Sequence, residues 1–518
     1  MKIAIRIFVL FMSLAALAQS TKIMGIVFED IDKDLKWSRN DKALSGILLS
    51  NGQEIIATKP GGKYEITLNP SQTLFVIKPS HYQTPTDVGG IATTYIHYYP
   101  HPTSNLPYPA MPESPAPTGV VDFPLWPQTE SDTFKVAMLG DLQMRIQEEI
   151  NYANRLLTPE IYKRDDLSFA VLLGDIADDN LHILNGSRQI TKHFGMPTYP
   201  VFGNHDRNVA TDLPNDFTIT FKRTFGPDYY SFNYGNVHFI AINDIIPNEN
   251  GYRGGLTQRQ LTFIKNDLSY VDKDRLVVFL QHIPLYTLEN LEDLLAIIAD
   301  RPHVLAVSAH RHILEQEFIS YGEKHELHEV IAGAVGGLWW DGERDWKGVP
   351  VSVMGGGAPK GYYLFSFQNN AYKMLYKALE LPEDKQINIW VWEEERGDPG
   401  VIVPAGFNGN EVLVNVFAGS KKTNVTMRVN DGAWQSISKT TDQDPYIARL
   451  IRLDSLGIYP TQGQHKSYLK TEPSEHIWRG YLPENLSKGS HKIEVRASDK
   501  YGLNAYEVRF FTIGKFDE

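Results

Sequence analysis

Seven polar side chains in the middle of the sequence are of the types that bind metal ions, and all follow short apolar runs. Carboxylate, amide and imidazole groups provide oxygen and nitrogen donors of intermediate hardness, which suit Mn, Fe or Zn better than Ca. Seven donors exceed what one ion needs, whereas two ions about 3.5–4 Å apart that share a carboxylate would use them all. The candidate ligands are Asp141, Gln143, Asp175, Asn204, His282, His310 and His312.

Among these residues, Asp175 is the natural bridge, since one carboxylate can bind both ions and offset their repulsion. Two ions so placed lower the pKa of a bridging water and hold the oxygens of an in-line displacement at phosphorus. The leaving alkoxide then needs a proton. His205 lies next to a candidate ligand but is not needed as one, so it can supply that proton. Asp178 can accept a hydrogen bond from the other ring nitrogen of His205 and hold the ring in place.

The apolar runs before these residues are short, continuous and bounded by glycine or polar residues. Such runs are typical of strands buried on both faces of a sheet, and ligands bind at the carboxyl ends of such strands. Helical patterns at 144–157 and 257–268 separate the runs, and this alternation indicates an α/β fold. His238, in a further strand pattern at 236–242, is predicted to be structural. The five runs are 134–139, 169–173, 199–202, 276–280 and 304–308.

The order of these motifs resembles the calcineurin-like metallophosphoesterase superfamily. That family carries Asp-x-His, Gly-Asp-x-x-Asp, Gly-Asn-His-Asp/Glu, a single histidine after a strand, and Gly-His-x-His. The resemblance spans 134–312 and implies a β-sandwich core of two sheets flanked by helices, with the activity of a dimetal phosphoric-ester hydrolase. The residues at the positions of these motifs are Asp141, Gln143, Gly174, Asp175, Asp178, Gly203, Asn204, His205, Asp206, His282, Ala309, His310 and His312.

The resemblance also distributes the ligands between two metal sites and makes His205 the catalytic histidine with Asp178 as its partner. Gln143 stands where the family has histidine, which puts a neutral oxygen donor in place of an imidazole and leaves the occupancy of that site open. Ala309 replaces the usual glycine, which affects only local backbone freedom. The first implied site consists of Asp141, Gln143, Asp175 and His312. The second consists of Asp175, Asn204, His282 and His310.

The region before this core has the period-two pattern of strands separated by turns. It predicts a β-sandwich over 21–80 that resembles transthyretin-like modules. Asp30, Asp32 and Asp34 alternate as in a calcium loop, but Leu35 stands where such a loop needs glycine, so a solvated acidic loop is favoured. The segment 81–132 is rich in proline and tyrosine and is predicted to be an extended connector that packs along a neighbouring domain.

Strand patterns return after the phosphoesterase region, which is assigned to 133–381. The segment 386–518 resembles an immunoglobulin-like β-sandwich and carries no ligand constellation. With the glycine-rich stretches at 336–342 and 357–362, this order of domains resembles a bacterial subgroup of exported three-domain phosphoesterases. The tryptophans of this part could either line the rim of a substrate site or pack in the core. They are Trp339, Trp340 and Trp346.

Composition limits the cellular compartments and the classes of partner that this chain is expected to have. The chain has 518 residues, no cysteine and a net charge of -12, so thiolate metal sites are excluded and a nucleic-acid substrate is disfavoured. A basic start, an apolar run and small residues near position 18 predict a signal peptide over 1–18. No later stretch has transmembrane length. A cysteine-free exported chain fits a bacterial periplasm or exterior.

These observations predict a secreted or periplasmic phosphoesterase that cleaves a phosphomonoester or phosphodiester with a metal-activated hydroxide and His205 as proton donor. The expected substrate is a small molecule, a lipid headgroup or a glycan phosphate. One alternative is a surface binding protein on a phosphoesterase scaffold, with little or no catalysis. Another is a metal-dependent protein phosphatase. The sequence specifies neither the substrate nor the oligomeric state.

Overall fold

A computed structural model gives the structure of most of the chain. The predicted signal peptide lies outside the described residues. In the part that is described, no helix is both long enough and apolar enough to cross a membrane. The described residues are 19–100, 106–114, 117, 119–162, 164–209, 211, 216–249, 251–392, 407, 409–457 and 473–514.

The N-terminal region consists of two sheets packed around a small apolar core. A five-stranded sheet has the order β2-β1-β9-β7 with β5 on β1, and a four-stranded sheet has the order β4-β3-β6-β8. In β5 the burial alternates strictly, because successive side chains of a strand point to opposite faces. The strands are β1 Thr21–Glu29, β2 Lys42–Ala43, β3 Leu48–Ser50, β4 Ile55–Ala57, β5 Lys63–Leu68, β6 Gln72–Val76, β7 Tyr82–Gln83, β8 Tyr95–Tyr98 and β9 Phe123–Pro127.

Three of these strands, β7, β8 and β9, lie in the segment 81–132, where the sequence predicted an extended connector without strands. β9 runs parallel to β1, and β8 pairs with β6. The prolines of β9 do not prevent this pairing. The side chains of Phe123 and Leu125 are buried in the core, and the backbone carbonyls can still accept hydrogen bonds. The carbonyl of Leu125, for example, accepts from Asp30 N at 3.0 Å. The predicted packing along a neighbouring domain is present, since Tyr99 and Met111 form a buried cluster with Ile219.

A buried ion pair joins the N-terminal region to the centre of the molecule. Lys78 Nζ lies 2.6 Å from Glu130 Oε1, and both side chains are almost fully buried. The ammonium also donates to the carbonyl of Asn233, while Glu130 accepts from the backbone N–H groups of His81 and Gly235. Each charge is therefore paired and hydrogen-bonded, as burial of charges requires.

The central region contains two mixed sheets that face each other. The first has the order β12-β11-β10-β21-β22, and the second has the order β13-β14-β17-β18-β20-β19. β10, β11 and β12 are parallel, as are β14, β17, β18 and β20, and the remaining neighbours pair antiparallel. The strands are β10 Thr133–Leu139, β11 Leu167–Leu172, β12 Thr198–Pro200, β13 Tyr230–Tyr234, β14 Val237–Ala241, β15 Ile245–Asn248, β16 Gly251–Gly254, β17 Leu276–Leu280, β18 Val304–Ser308, β19 Leu314–Tyr321, β20 His325–Ala332, β21 Gly361–Gln368 and β22 Ala371–Ala378.

Helices cover the outer faces of these sheets. The predicted helical patterns at 144–157 and 257–268 correspond to α1 and α5, and all five predicted apolar runs are strands. His238 is structural as predicted, since it is buried and bonded to Asn233 and Asp267. The helices are α1 Gln147–Leu156, α2 Thr158–Ile161, α3 Leu184–Thr191, α4 Ile219–Phe225, α5 Gln258–Leu268 and α6 Leu291–Ile298.

Aromatic side chains hold the two central sheets together. Phe134 and Phe169 of the first sheet pack with Phe239 of the second, with ring centroids 6.4 and 5.3 Å from Phe239. Full burial of such a ring stabilises the fold by about 1.5–3 kcal/mol. This packing fixes the sheets so that the carboxyl ends of β10, β11 and β12 lie beside those of β17 and β18.

The C-terminal region consists of two antiparallel four-stranded sheets, with the orders β23-β24-β28-β27 and β26-β25-β29-β30. A helix, α7 Pro445–Ser455, lies between β27 and β28, where the sequence analysis predicted only strands. Asp444 caps it by accepting from Tyr446 N, and proline occupies its first turn. The strands are β23 Ile387–Val391, β24 Glu411–Val416, β25 Asn424–Val429, β26 Gln435–Ser436, β27 Ser438–Thr440, β28 Ile477–Tyr481, β29 Gly489–Ser498 and β30 Asn504–Ile513. The transthyretin-like and immunoglobulin-like assignments of the terminal regions stay predictions.

Candidate metal centre

The loops after β10, β11, β12, β17 and β18 carry all seven predicted ligands. Five of these residues have left-handed backbone conformations, which cost a non-glycine residue of the order of 1–3 kcal/mol and cluster at functional sites. The surrounding packing must therefore hold each of these side chains in place against local preference. Their φ angles are +38° at Asp141, +50° at Gln143, +46° at Asp175, +70° at His310 and +53° at His312.

His282 lies at the centre of one half of the site. Its Nε2 atom is 3.0 Å from Asp175 Oδ2, 3.0 Å from Asn204 Oδ1 and 3.2 Å from His310 Nδ1. Ligand atoms of Asp175, His282 and His310 all lie within 4.8 Å of one another. Four donor atoms from four different loops thus converge on one point, which is the arrangement that a single cation requires.

Backbone carbonyls orient two of the imidazoles. Nδ1 of His282 lies 2.8 Å from the carbonyl oxygen of Leu173, and Nδ1 of His312 lies 2.6 Å from that of Gly337. Because a carbonyl only accepts, each Nδ1 carries a hydrogen, so Nε2 is the nitrogen of each ring that faces a ligand. A second bond that fixes the tautomer and the ring plane is the usual support of a metal-binding histidine.

The other half of the site contains buried polar atoms that lack partners. Oδ1 of Asp141 accepts no hydrogen bond and lies 3.6 Å from His312 Nε2, while Oδ2 accepts from His310 N. The Gln143 side chain is 1% exposed, and neither of its amide atoms has a partner. Such atoms are costly to bury unless something satisfies them. A cation between these oxygens and His312 Nε2 would do so, and the residues therefore fit a metal ion.

Burial and charge set the protonation of the three histidines. Burial lowers the pKa of His310 to about 3 and that of His312 to about 4, so both rings are neutral, which is the form that binds metal. Burial also acts to lower the pKa of His282, but the carboxylate of Asp175 prevails and raises it to about 10. Without a metal, His282 is thus the positive partner of Asp175.

His205 stands beside this cluster without contributing an atom to it. Its Nδ1 lies 3.0 Å from Asp179 Oδ1 and 3.5 Å from Asp178 Oδ1, and its backbone N–H donates to Asp175 Oδ1. Burial acts to lower its pKa, but Asp175 and then Asp179 outweigh it and raise the value to about 9. Asp178, the predicted partner, is in range, but Asp179 is nearer. The acidic pair after β11 was the only sequence signal for Asp179.

Two further buried carboxylates brace the loops. Asp206 accepts from the backbone N–H groups of Ile176, Ala177 and Gly203, and so ties the loop after β12 to the loop after β11. Asp244 accepts from Ile283 N, next to His282. The sequence analysis did not identify either bracing role, because the backbone donors come from different loops.

The loop after β12 approaches the loop after β11 so closely that only glycine fits at one position. A Cβ atom on Gly203 would lie 2.1 Å from Asp175 N and 2.4 Å from Asp175 Oδ1. The absence of a side chain at this position lets His205 N reach the Asp175 carboxylate.

The three tryptophans whose place the sequence left open have different environments. Trp339 stacks on His312 with ring centroids 4.7 Å apart, so it borders the site. Trp340 is core, because it is buried and its Nε1 donates to the carbonyl of Leu142. Trp346 is 89% exposed.

Two guanidinium groups and a connector residue border the acidic pair. Arg145 Nη1 lies 4.0 Å from Asp178 Oδ2, and Arg207 Nη1 lies 3.9 Å from Asp179 Oδ1. The hydroxyl of Tyr108 donates to the carbonyl of Asp179 at 2.8 Å. The rim of the site beside His205 therefore carries two guanidinium groups, each close to a carboxylate.

Comparison with protein families identifies the region that contains these loops. Residues 134–314 match the model described as calcineurin-like phosphoesterase, and residues 329–505 match the model described as the C terminal of calcineurin-like phosphoesterase. The chain belongs to the calcineurin-like metallophosphoesterase superfamily. The resemblance seen in the sequence is thereby confirmed, while the narrower one to exported three-domain enzymes stays a prediction.

Two of the solved structures to which this metallophosphoesterase is similar illustrate the low identity of the matches. One is purple acid phosphatase PPD1 from yellow lupin (Lupinus luteus) seeds, at 13% identity over 70% of this chain and 67% of that chain, with a TM-score of 0.36. The other is Vps29 from Chaetomium thermophilum, at 13% identity over 48% and 95%, with a TM-score of 0.23. The comparison with curated proteins gave no match.

Membership of this superfamily implies a dimetal centre, and the two halves of the site provide donors for one. The half around His282 has two imidazoles, a carboxylate and an amide oxygen. The half around Asp141 has one imidazole, because Gln143 replaces the family histidine. The side-chain amide of Gln143 is buried and has no hydrogen-bond partner, so its oxygen is available as a metal ligand at this position.

Proposed function

We propose that this metallophosphoesterase hydrolyses phosphate esters with two divalent metal ions. The observation that supports this best is the convergence of His282 Nε2, His310 Nδ1 and the Asp175 carboxylate within hydrogen-bonding distances, beside a histidine that is not a ligand. Donors alone would suit a binding site. A histidine held by two carboxylates at the edge of that site adds the proton donor that ester cleavage requires.

In the proposed assignment each half of the site holds one ion and Asp175 contributes to both. When bound, the two ions would supply a water of lowered pKa and positive charge for the phosphoryl oxygens. Mn, Fe and Zn fit the mixed nitrogen and oxygen donors. The first ion would be held by Asp141, Gln143, Asp175 and His312. The second would be held by Asp175, Asn204, His282 and His310.

His205 protonates the leaving oxygen in this proposal. With a pKa of about 9 it carries its proton at neutral pH, and its Nδ1 is directed to Asp178 and Asp179. None of the hydrogen bonds among the described residues uses Nε2, so this nitrogen is the one that donates to the ester. The carboxylates hold the ring, and they favour its uptake of a new proton from solvent after each turnover.

Arg145 and Arg207 provide charge for the substrate on the rim. The guanidinium of Arg207 lies over the ring of Tyr252 at 5.0 Å, which fixes it beside His205. Guanidinium groups bind phosphate oxygens in a forked geometry that a single ammonium cannot provide. We expect these two residues to bind the non-bridging oxygens or a second anionic group of a small molecule, lipid headgroup or glycan phosphate. Export after removal of residues 1–18 belongs to the same proposal.

Hydrolysis of p-nitrophenyl phosphate and bis-p-nitrophenyl phosphate by metal-stripped protein tests the proposal. Mn, Fe or Zn is added back separately, and the preferred ester separates a monoesterase from a diesterase. We expect metal-dependent turnover that Asp175→Asn abolishes and Asp165→Asn, the same change at an exposed position, leaves intact. Turnover that survives Asp175→Asn would contradict the proposal, as would no turnover on either ester by protein that has bound both ions.

A further inference from the structure

Three carboxylates meet at the end of β1, far along the chain from the metal centre. Asp30 directly follows β1, and Asp32 and Asp41 belong to the loop that leads to β2. One oxygen from each residue lies within 4.8 Å of an oxygen from each of the others. Two neighbouring cations are directed elsewhere, since Lys42 pairs with Glu29 and Lys33 lies over the ring of Trp126. Three like charges at this spacing repel one another unless a cation lies between them.

The decisive observation is the state of Asp30, which is 1% exposed. Its Oδ2 atom accepts from Leu35 N at 3.1 Å and from Trp126 Nε1 at 3.2 Å. Its Oδ1 atom is also buried but has no partner. A carboxylate oxygen enclosed in this way costs free energy unless a donor or a cation satisfies it. Of the three carboxylates in the predicted solvated loop, Asp32 and Asp34 are exposed as expected, whereas Asp30 lies inside the protein.

The spacing of the loop supports the same conclusion. Asp41 is the twelfth residue counted from Asp30, and the twelve-residue EF-hand loop takes carboxylate ligands from its first, third and last positions. Such loops need glycine at the sixth position for a sharp turn. Leu35 occupies that position here and adopts φ +66°, the conformation that glycine usually provides. The turn is thus made without glycine, which removes the objection that the sequence raised.

We propose that Asp30, Asp32 and Asp41 bind one calcium ion, at a site separate from the phosphoesterase centre. Oxygen donors alone, from a loop that is partly exposed, suit Ca²⁺ with its flexible coordination better than Mg²⁺, which demands a near-ideal octahedron. The ion joins the β1–β2 loop to β9, because Asp30 is bonded to Trp126 and its backbone N–H donates to Leu125. We expect a dissociation constant on the order of 10⁻⁴ to 10⁻³ M, as in extracellular modules.

Calcium titration of the full mature chain by isothermal calorimetry tests the site, with Asp32→Asn as the principal variant. Asp32 is exposed, so its substitution does not disturb the core. Asp384→Asn, an exposed aspartate in another region, is the matched control. We expect the wild type and the control to bind one more Ca²⁺ than Asp32→Asn does, or to bind it at least tenfold more tightly. Comparison between variants removes any contribution of Ca²⁺ at the phosphoesterase centre.

Thermal unfolding provides the second measurement. Ca²⁺ at about 10 mM should raise the melting temperature of the wild type and the control, and should raise that of Asp32→Asn less. Asp30→Asn should unfold at a temperature that no longer responds to Ca²⁺ at this site. Equal Ca²⁺ binding by wild type and Asp32→Asn would overturn the proposal. So would the absence of any Ca²⁺ effect on the wild type up to about 10 mM, well above the expected dissociation constant. Neither result bears on ester hydrolysis, which is measured separately.

Discussion

Replacing His205 with alanine should slow the hydrolysis of an alkyl phosphate far more than that of p-nitrophenyl phosphate. An alkoxide needs a proton as it leaves, whereas p-nitrophenolate departs without one. His205 is the proposed carrier of this proton, and in the metal-free protein Asp175 and Asp179 raise its pKa to about 9 against the effect of burial. Loss of a general acid lowers the rate by about 10²–10⁴-fold. That corresponds to about 3–5 kcal/mol in the barrier.

The contrast between the two substrates is the measured quantity. We expect kcat on the alkyl ester to fall by about 10²–10⁴-fold, and kcat on the aryl ester to fall by much less. The metal content of the two proposed sites should not change, because the His205 side chain contributes no atom to the cluster of Asp175, His282 and His310 and groups with Asp178 and Asp179 instead. His193→Ala, at an exposed histidine of the same domain, should behave as the wild type.

An equal fall of kcat on both esters would refute this reasoning, because the effect of His205 would then not depend on whether the leaving group needs a proton. Loss of bound metal in His205→Ala would also refute it, since His205 would then belong to the ligand set. Steady-state kinetics with both esters and metal analysis of the same preparations distinguish these outcomes.

Three further predictions concern charge. Activity that needs protonated His205 is lost as pH rises through the pKa of this ring, and Asp179 acts to raise that pKa, so Asp179→Asn should move the alkaline limb of kcat/KM to lower pH. His282 has a pKa of about 10 without metal, so a metal ion must displace its proton to bind. The metal affinity, measured by chelator competition, should therefore rise about tenfold per pH unit between pH 6 and 8. Lys78→Met leaves a buried carboxylate unpaired and should lower the free energy of unfolding by about 3–5 kcal/mol. Lys22→Met, at an exposed ion pair, should change denaturant unfolding little.

Each of these three has a clear contrary result. An alkaline limb that stays in place in Asp179→Asn would mean that His205 does not set it. Metal affinity independent of pH would mean that His282 is neutral in the metal-free protein. Equal stability of the two lysine variants would show that the Lys78 ion pair contributes no more than a surface pair.

The convergence of the candidate ligands could be predicted from the sequence because each follows an apolar run whose direction and burial are encoded locally. Asp141 and Asp175 follow parallel neighbours, so the two strand ends had to meet at one edge. The site takes residues from strands of two different sheets. This arrangement depends on the packing between the sheets, and only the family resemblance indicated it.

Contacts between segments distant in the chain explain what the sequence did not predict. β8 and β9 form because the N-terminal sheets pair with them, although proline disfavours strands locally. Asp41 joins Asp30 through a turn in which Leu35 adopts a conformation that its type does not favour. Whether Asp178 or Asp179 lies nearer to His205 depends on a backbone turn, which the order of residues does not reveal.

The most direct test of the dimetal centre is anomalous X-ray diffraction from crystals of Mn-loaded protein, with Asp175→Asn as the comparison. The proposal predicts two anomalous peaks in the wild type, both in contact with Asp175, one beside His282 and His310 and the other beside Asp141 and His312. In Asp175→Asn at least one peak should be lost. A wild-type crystal with no peak at Asp175, or with ions bound only elsewhere, would contradict the account.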